Sequence, residues 1–202
     1  MVRRKDPVHP TRMLLIDSTV SLLDIYSLEE MSAEMVLKTS GVSKGSMYHF
    51  FPDYSSLLEA AFLQRFSRHV ELSIDAIESI VNNSTNQDEF FMRLEAVTVA
   101  TQSEVRSINR FERARILAKA ERNERFKTEL AQVQQHLTDS LADCFEQAQK
   151  QGWLNTTFEP RTGAVFIQAY TLGKIVDDIS PTPMDPDDWN ALIMRIARLA
   201  LG

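Results

Sequence analysis

The residues able to do covalent or metal chemistry are few and scattered. The four histidines (His9, His49, His69 and His136) and the single cysteine, Cys144, show no metal-ligand spacing. No G-x-S-x-G elbow, phosphate-binding loop, H-E-x-x-H or dinucleotide fingerprint occurs. Asp177-Asp178 and Asp187-Asp188 are adjacent pairs. On a helix, neighbours point different ways, so they read as solvated or dipole-complementing charge rather than as a paired acid and base. What remains is Ser43-Lys44-Gly45-Ser46-Met47-Tyr48-His49-Phe50. It combines a cation, hydroxyl and imidazole donors, and small residues that let a backbone come close. Those groups suit non-covalent recognition of a polyanion. The chain is therefore expected not to be an enzyme, with no cofactor and no metal.

The elements that must position this segment are helices. Val36, Leu37, Val42, Met47, Phe50 and Phe51 can pack two short helices against a preceding one, leaving Lys44, Gly45, Ser46, Tyr48 and His49 outward. Ser32 and Ser43 read as N-caps, whose hydroxyls accept from free amides of the next turn. Gly41 supplies the residue between the two helices that tolerates positive φ. A short helix with small residues at its start can enter a major groove about 12 Å wide. Upstream, Leu15, Ile16, Thr19, Leu22 and Leu23 recur at helical spacing from Thr11 to about Tyr26. Downstream, Pro52-Asp53 breaks the chain before a long helix from Tyr54 to about Val81. Further helices are expected over 88–104, 107–120, from Asn123 to Gly152, from Pro160 to about Ile179, and from Pro186 to Leu201. That is about nine helices and no strand.

Composition agrees with a globular protein. The 202 residues are 44% hydrophobic and 25% charged, with a net charge of −6. Residues 1–51 balance six Lys/Arg against six Asp/Glu, so the acidic excess lies in the remainder. A neutral head on an acidic body argues against non-specific coating of nucleic acid and fits contact at one end. Arg3, Arg4 and Lys5 lie in a basic arm that could be a solvated tail or a minor-groove contact. One cysteine excludes an internal disulfide framework, and no apolar stretch approaches the ~20 residues a membrane span needs. With no apolar leader, the expected compartment is the cytoplasm.

Gly41-Val42-Ser43-Lys44-Gly45-Ser46-Met47-Tyr48-His49-Phe50-Phe51, followed by Leu57-Leu58, resembles the signature of the tetracycline-repressor (TetR) family. The resemblance runs back through Arg12, Leu15-Ile16, Ser18-Thr19 and Leu22-Leu23, covering roughly residues 11–60. It implies an all-α fold: a helix-turn-helix domain over 1–53 and a helical effector-binding and dimerisation domain over 54–202. It also implies a homodimer that binds a palindromic operator and is released from it by a small molecule. Carried over by position, Lys44, Gly45 and Ser46 reach bases or backbone, Tyr48 and His49 meet phosphate and base methyls, Ser32 is the phosphate-facing cap of the preceding helix, and Ser43 is counted with them as DNA-binding. Three positions depart from the pattern. Tyr54 stands where a Lys is usual, and would donate to a phosphate without adding charge. Ser27 stands where a Gly often closes the first helix, and Leu37 replaces a usual Ala.

In the body, aromatic residues on the middle helices are mostly core, and some can line an apolar cavity with a few polar anchors. The candidates are Phe66, Gln102, Phe111, Arg113, Phe145, Gln168 and Tyr170, with Asn109 and His136 as further polar groups. Dimerisation is expected through the last two long helices. One surface is formed by Ile167, Thr171 and Ile175 with Ala164, Leu172 and Ile179, the other by Trp189, Ile193, Ile196 and Ala200 with Leu192 and Leu199. Two such helices per subunit would make a four-helix interface. The alternating charges from Arg106 to Glu129 read as a solvated face of i,i+4 pairs.

Overall fold

A computed structural model describes residues 9–202; the basic arm containing Arg3, Arg4 and Lys5 lies outside them. Among the described residues there are ten α-helices, one 3₁₀ turn and no strand, so the all-α expectation holds. The chain divides into two compact units, Met1–Arg68 and His69–Gly202. The boundary falls inside a helix, some fifteen residues beyond the expected one at 53/54.

The first unit holds α1 (Pro10–Leu23), α2 (Ala33–Ser40), α3 (Lys44–Phe50) and the opening turns of α4 (Tyr54–Asn83). Pro10 opens α1, where its missing N–H and fixed φ cost nothing, and His9 Nδ1 accepts from Thr11 N–H at 3.2 Å. The inner stripe of α1 is Leu15, Ile16, Thr19, Val20 and Leu22, and the buried Thr19 hydroxyl donates to Leu15 C=O at 2.7 Å. The helix stops at Leu23, short of Tyr26. Ser27 N–H and hydroxyl donate to Glu30 Oε2 at 2.9 and 2.8 Å, which closes the turn without glycine and holds the Glu30 carboxyl below its usual range. The Ser27 departure therefore leaves the turn intact. Ser32 and Ser43 cap α2 and α3 as expected, accepting from Met35 N–H at 3.3 Å and Ser46 N–H at 3.1 Å. Gly41 takes φ +67°, a left-handed conformation that L side chains adopt only with strain. Phe51 is extended because a proline follows it, so α3 cannot continue. Asp53 Oδ1 then accepts from Ser56 N–H at 2.7 Å to start α4. Val36, Met47, Phe51, Leu57 and Ala61 are buried with the α1 stripe. Burial of Leu57, Leu58, Ala61 and Phe62 ties the start of α4 to this core, which is why the unit extends past Asp53.

The second unit holds the rest of α4, then α5 (Gln87–Gln102), the 3₁₀ turn Glu104–Arg106, α6 (Ser107–Glu121), α7 (Glu124–Lys150), α8 (Pro160–Gly173), α9 (Ile175–Asp178) and α10 (Pro186–Leu201). Asn86, Asn123, Glu159 and Asp185 accept at the starts of α5, α7, α8 and α10. Gly152 closes α7 at φ +75°, and Trp153 N–H returns to Ala148 C=O at 2.9 Å. α8 packs tightly at Gly163, where an added Cβ would come within 2.8 Å of Phe158 and 2.9 Å of Phe145 on α7. α10 lays Ile193, Met194, Ala197 and Leu201 against α5 and its surroundings.

Two sequence expectations fail here. The helix from Pro160 was expected to run to about Ile179, but it breaks at Lys174 and resumes as the single turn α9. The Arg106–Glu129 stretch was expected to be solvated throughout, yet Arg110 is 4% exposed and Asp178 has a side-chain exposure of 3%. Arg110 Nη2 donates to Asp178 Oδ1 at 2.7 Å, and its Nη1 donates to Thr101 C=O at 3.2 Å. Lys174 Nζ lies 3.4 Å from Asp178 and 3.6 Å from Asp177. Two cations and two carboxylates thus form a neutral buried cluster joining α6 to α9. The Arg110 hydrogen bond holds the Asp178 carboxyl below its usual range.

Candidate nucleic-acid interface

In the first unit, helical periodicity sorts α3 into two faces. Met47 is fully buried and Phe50 half-buried, while Lys44, Gly45, Tyr48 and His49 are exposed. Gly45 has no heavy atom within 4 Å of where a Cβ would stand, so bare backbone faces outward there. Ser43 is exposed and Ser46 half-buried. Their hydroxyls are 2.9 Å apart, so each is partly committed to the cap. The face therefore offers an ammonium, an imidazole and a phenol around open backbone, a donor-rich surface for phosphate and base acceptors. Ser32, on α2, is half-buried, with its hydroxyl already engaged as a cap.

Tyr54 behaves differently from its sequence expectation. Its hydroxyl is sealed from solvent and has no hydrogen-bond partner among the described residues, and burial raises its pKa. In this position the phenol cannot donate to a phosphate. Two residues beside α3 were not among the candidate site residues. The His9 ring lies 4.8 Å from Phe50, whose other contact is His49 at 4.9 Å, edge-on. The Arg12 guanidinium sits 5.1 Å from the centre of the Phe51 ring. Both come from the start of α1, and only packing of α1 against α3 brings them there. Periodicity within either helix could not have shown it.

The candidate effector residues of the second unit fall into separate groups. Arg113 and Gln168 meet directly: Arg113 Nη2 donates to Gln134 Oε1 at 3.0 Å and to Gln168 Oε1 at 3.4 Å, and Gln134 also donates to Gln168. Gln168 Nε2 in turn donates to Thr138 at 3.2 Å. Desolvation lowers the Arg113 pKa. Gln102 and Tyr170 form a second group around Thr98 and Trp189. Trp189 Nε1 donates to Gln102 Oε1 at 3.0 Å, and burial raises the pKa of the Tyr170 phenol, which neighbours Thr98. Phe145 is buried against Phe158, Phe111 is exposed, and Phe66 is buried in the first unit. Asn109 is half-buried, and His136 is an exposed partner of Glu71 at 3.4 Å. Burial pushes the Cys144 thiol up to about 11, which leaves it protonated and inert at neutral pH.

The expected dimer surfaces divide by helix face. Ile193 is buried inside the unit, while Ile196, Ala200, Leu192 and Leu199 of α10 point to solvent. Ile167, Thr171, Ile175 and Trp189 are half-buried, and Trp189 is held by Gln102. Val165, Phe166, Val176 and Ile179 are also exposed. Of these, Val165, Phe166 and Val176 were not among the expected interface residues.

Among the described residues no group of three or more His, Cys, Asp or Glu could hold a metal ion, and no helix is long and apolar enough to cross a membrane. No family model and no curated protein sequence matches the chain. Solved structures do. A TetR-family transcriptional regulator from Mesorhizobium loti shares 13% identity at a TM-score of 0.69, covering 94% of each chain. The reduced form of NemR from E. coli shares 17% identity at a TM-score of 0.64, covering 95% of this chain and 97% of its own. A transcriptional regulator from Saccharomonospora viridis, solved in complex with choline, shares 13% identity at 0.65, covering 94% and 96%. At these identities the likeness is one of fold.

Proposed function

The chain has the fold of TetR-family transcriptional regulators, and we propose that it is a sequence-specific DNA-binding repressor, released from a palindromic operator by a small molecule. The observation that carries this reading is the two-faced α3. Its inner side is buried, and its outer side presents Lys44, Gly45, Tyr48 and His49 with no apolar residue between them. One such helix contacts too little surface for tight binding, so the reading requires a homodimer. Two heads would then reach successive major grooves about 34–36 Å apart. The exposed apolar side chains of α8, α9 and α10 support dimerisation, because a solvent-facing row of Val, Phe, Leu and Ile is a surface awaiting a partner.

Release follows as a population shift. A small molecule held by the second unit favours one of two states of the dimer, and its effect on operator affinity equals its differential affinity for the two. Support for the coupling is that α4 is one uninterrupted helix that contributes residues to both units. The complex of the Saccharomonospora viridis protein with choline is a precedent for a small ligand on this fold. A cytoplasmic location follows from a role on chromosomal DNA.

The test is selection from random duplex DNA with the full-length chain, followed by sequencing. An inverted repeat with half-sites about one helical turn apart is expected. A folded dimer that enriches no sequence refutes the reading.

A further inference from the structure

Gln102 is 2% exposed, and its orientation is settled by chemistry. Trp189 Nε1 can only donate, and it lies 3.0 Å from the Gln102 side chain, so the atom it meets is the amide oxygen. The amide nitrogen is thereby turned the other way. It is sealed from solvent and has no acceptor within reach among the described residues. A buried donor left unpaired destabilises a fold, and a methionine of similar size would fill this place without that penalty. One turn earlier on the same face of α5, Thr98 is also 2% exposed and neighbours the Tyr170 phenol. The unsatisfied amide therefore belongs to a buried face of α5 that meets aromatic side chains of α8 and α10.

We propose that the Gln102 amide is the hydrogen-bond donor of an effector site, and that the effector is a small, uncharged carbonyl compound with a planar apolar body. The inference rests on the reading that the second unit holds a small molecule, and it names the class. A carbonyl oxygen satisfies the free N–H, a hydrocarbon leaves it unpaired, and a cation meets a donor where it needs an acceptor. The Tyr170 and Trp189 rings supply flat apolar surface for the body of the ligand.

The test uses two isosteric pairs on the full-length protein: acetophenone against α-methylstyrene, and 1-indanone against 1-methyleneindane. Each pair differs only in C=O against C=CH₂. Readouts are the unfolding midpoint and the ¹⁵N–¹H signal of the Trp189 indole, assigned by its loss in Trp189→Phe. At equal concentration the ketones are expected to raise the midpoint and move the indole signal more than the alkenes do. Gln102→Met should abolish the ketone preference in the midpoint, while Trp189→Phe, which keeps the amide donor, should retain it. Equal responses to ketone and alkene, no response to either ketone, or a preference that survives Gln102→Met overturns the proposal. If the wild-type chain selects an operator while the ketones fail, the ligand class is wrong and the DNA reading stands. If the ketones bind and no DNA is selected, the reverse holds.

Discussion

Replacing Asp178 by Asn isolates the buried charge cluster of the second unit. The substitution keeps the shape but removes one charge from a cluster of two cations and two carboxylates, leaving Arg110 and Lys174 with one anion between them. Arg110 is 4% exposed, so water cannot replace what is lost. Breaking a buried pair from one side costs about 3–5 kcal/mol, because an uncompensated charge stays behind. Near the midpoint, a unit of about 130 residues unfolds with an entropy of roughly 0.28 kcal/mol/K, taking about 2.1 cal/mol/K per residue. A loss of about 4 kcal/mol then lowers the melting temperature by roughly 14 °C. Circular dichroism of Asp178→Asn beside the wild type, with urea titration at 25 °C, measures both quantities. Arg110→Met combined with Asp178→Leu should regain most of the loss, since it removes the buried charges together. The sign of the pH effect also follows. The Asp178 carboxyl titrates below its ordinary value because Arg110 binds the ionised form. Its contribution is therefore complete above the unfolded pKa of about 3.9 and disappears as pH falls through the lowered folded value. The gap between wild type and Asp178→Asn should be flat from neutral down to mildly acid pH and close only in strong acid. A melting shift of only a few degrees, or a gap that varies through neutral pH, refutes the assignment.

Gly41→Ala should cost about 1–2 kcal/mol through backbone strain alone, because no atom lies within 4 Å of the new Cβ; a chemical denaturation series of the full chain reads it. Tyr48→Ala should weaken binding to the selected operator while leaving the melting temperature within about 1 °C, as expected of an exposed side chain. Lys44→Ala should reduce the slope of log affinity against log salt by about one per subunit if the ammonium meets a phosphate, measured by fluorescence anisotropy. Leu192→Glu with Leu199→Glu should give a folded monomer by analytical ultracentrifugation; an unchanged dimer would move the interface off the outer face of α10.

Much of the first unit was legible before any coordinates. Caps at Ser32 and Ser43, the left-handed Gly41 and the break at Pro52 are local events. Each depends on a hydroxyl, a missing Cβ or a missing N–H acting within four residues, so the sequence contains the whole interaction. The buried and exposed faces of α3 follow from helical period for the same reason. Tyr54 marks where this stops. Its position in the motif suggested an outward phenol, but the side chain turns in, and only the packing around the start of α4 decides that. His9 against Phe50 and Arg12 against Phe51 are likewise products of α1 lying on α3.

In the second unit the helices themselves were readable, with ends shifted by a few residues, but their partners were not. Alternating charge from Arg106 onward fits a solvated face as well as a buried one, because period reports which residues share a side and not what lies opposite. Arg110 is buried because Asp178 and the Thr101 carbonyl wait across the gap, 68 and 9 residues away in sequence. Ile193 and Ile196 show the same limit within one helix. Both fit an apolar stripe, yet one fills the interior and the other faces solvent. The sequence by itself determined the helices, their caps and the donor-rich segment at 43–49, because those are set by short-range hydrogen bonding and period. Tertiary structure alone decided which charges pair, which stripe is left for a partner and which amide is left without one, because each of these depends on a distant residue arriving at a particular place.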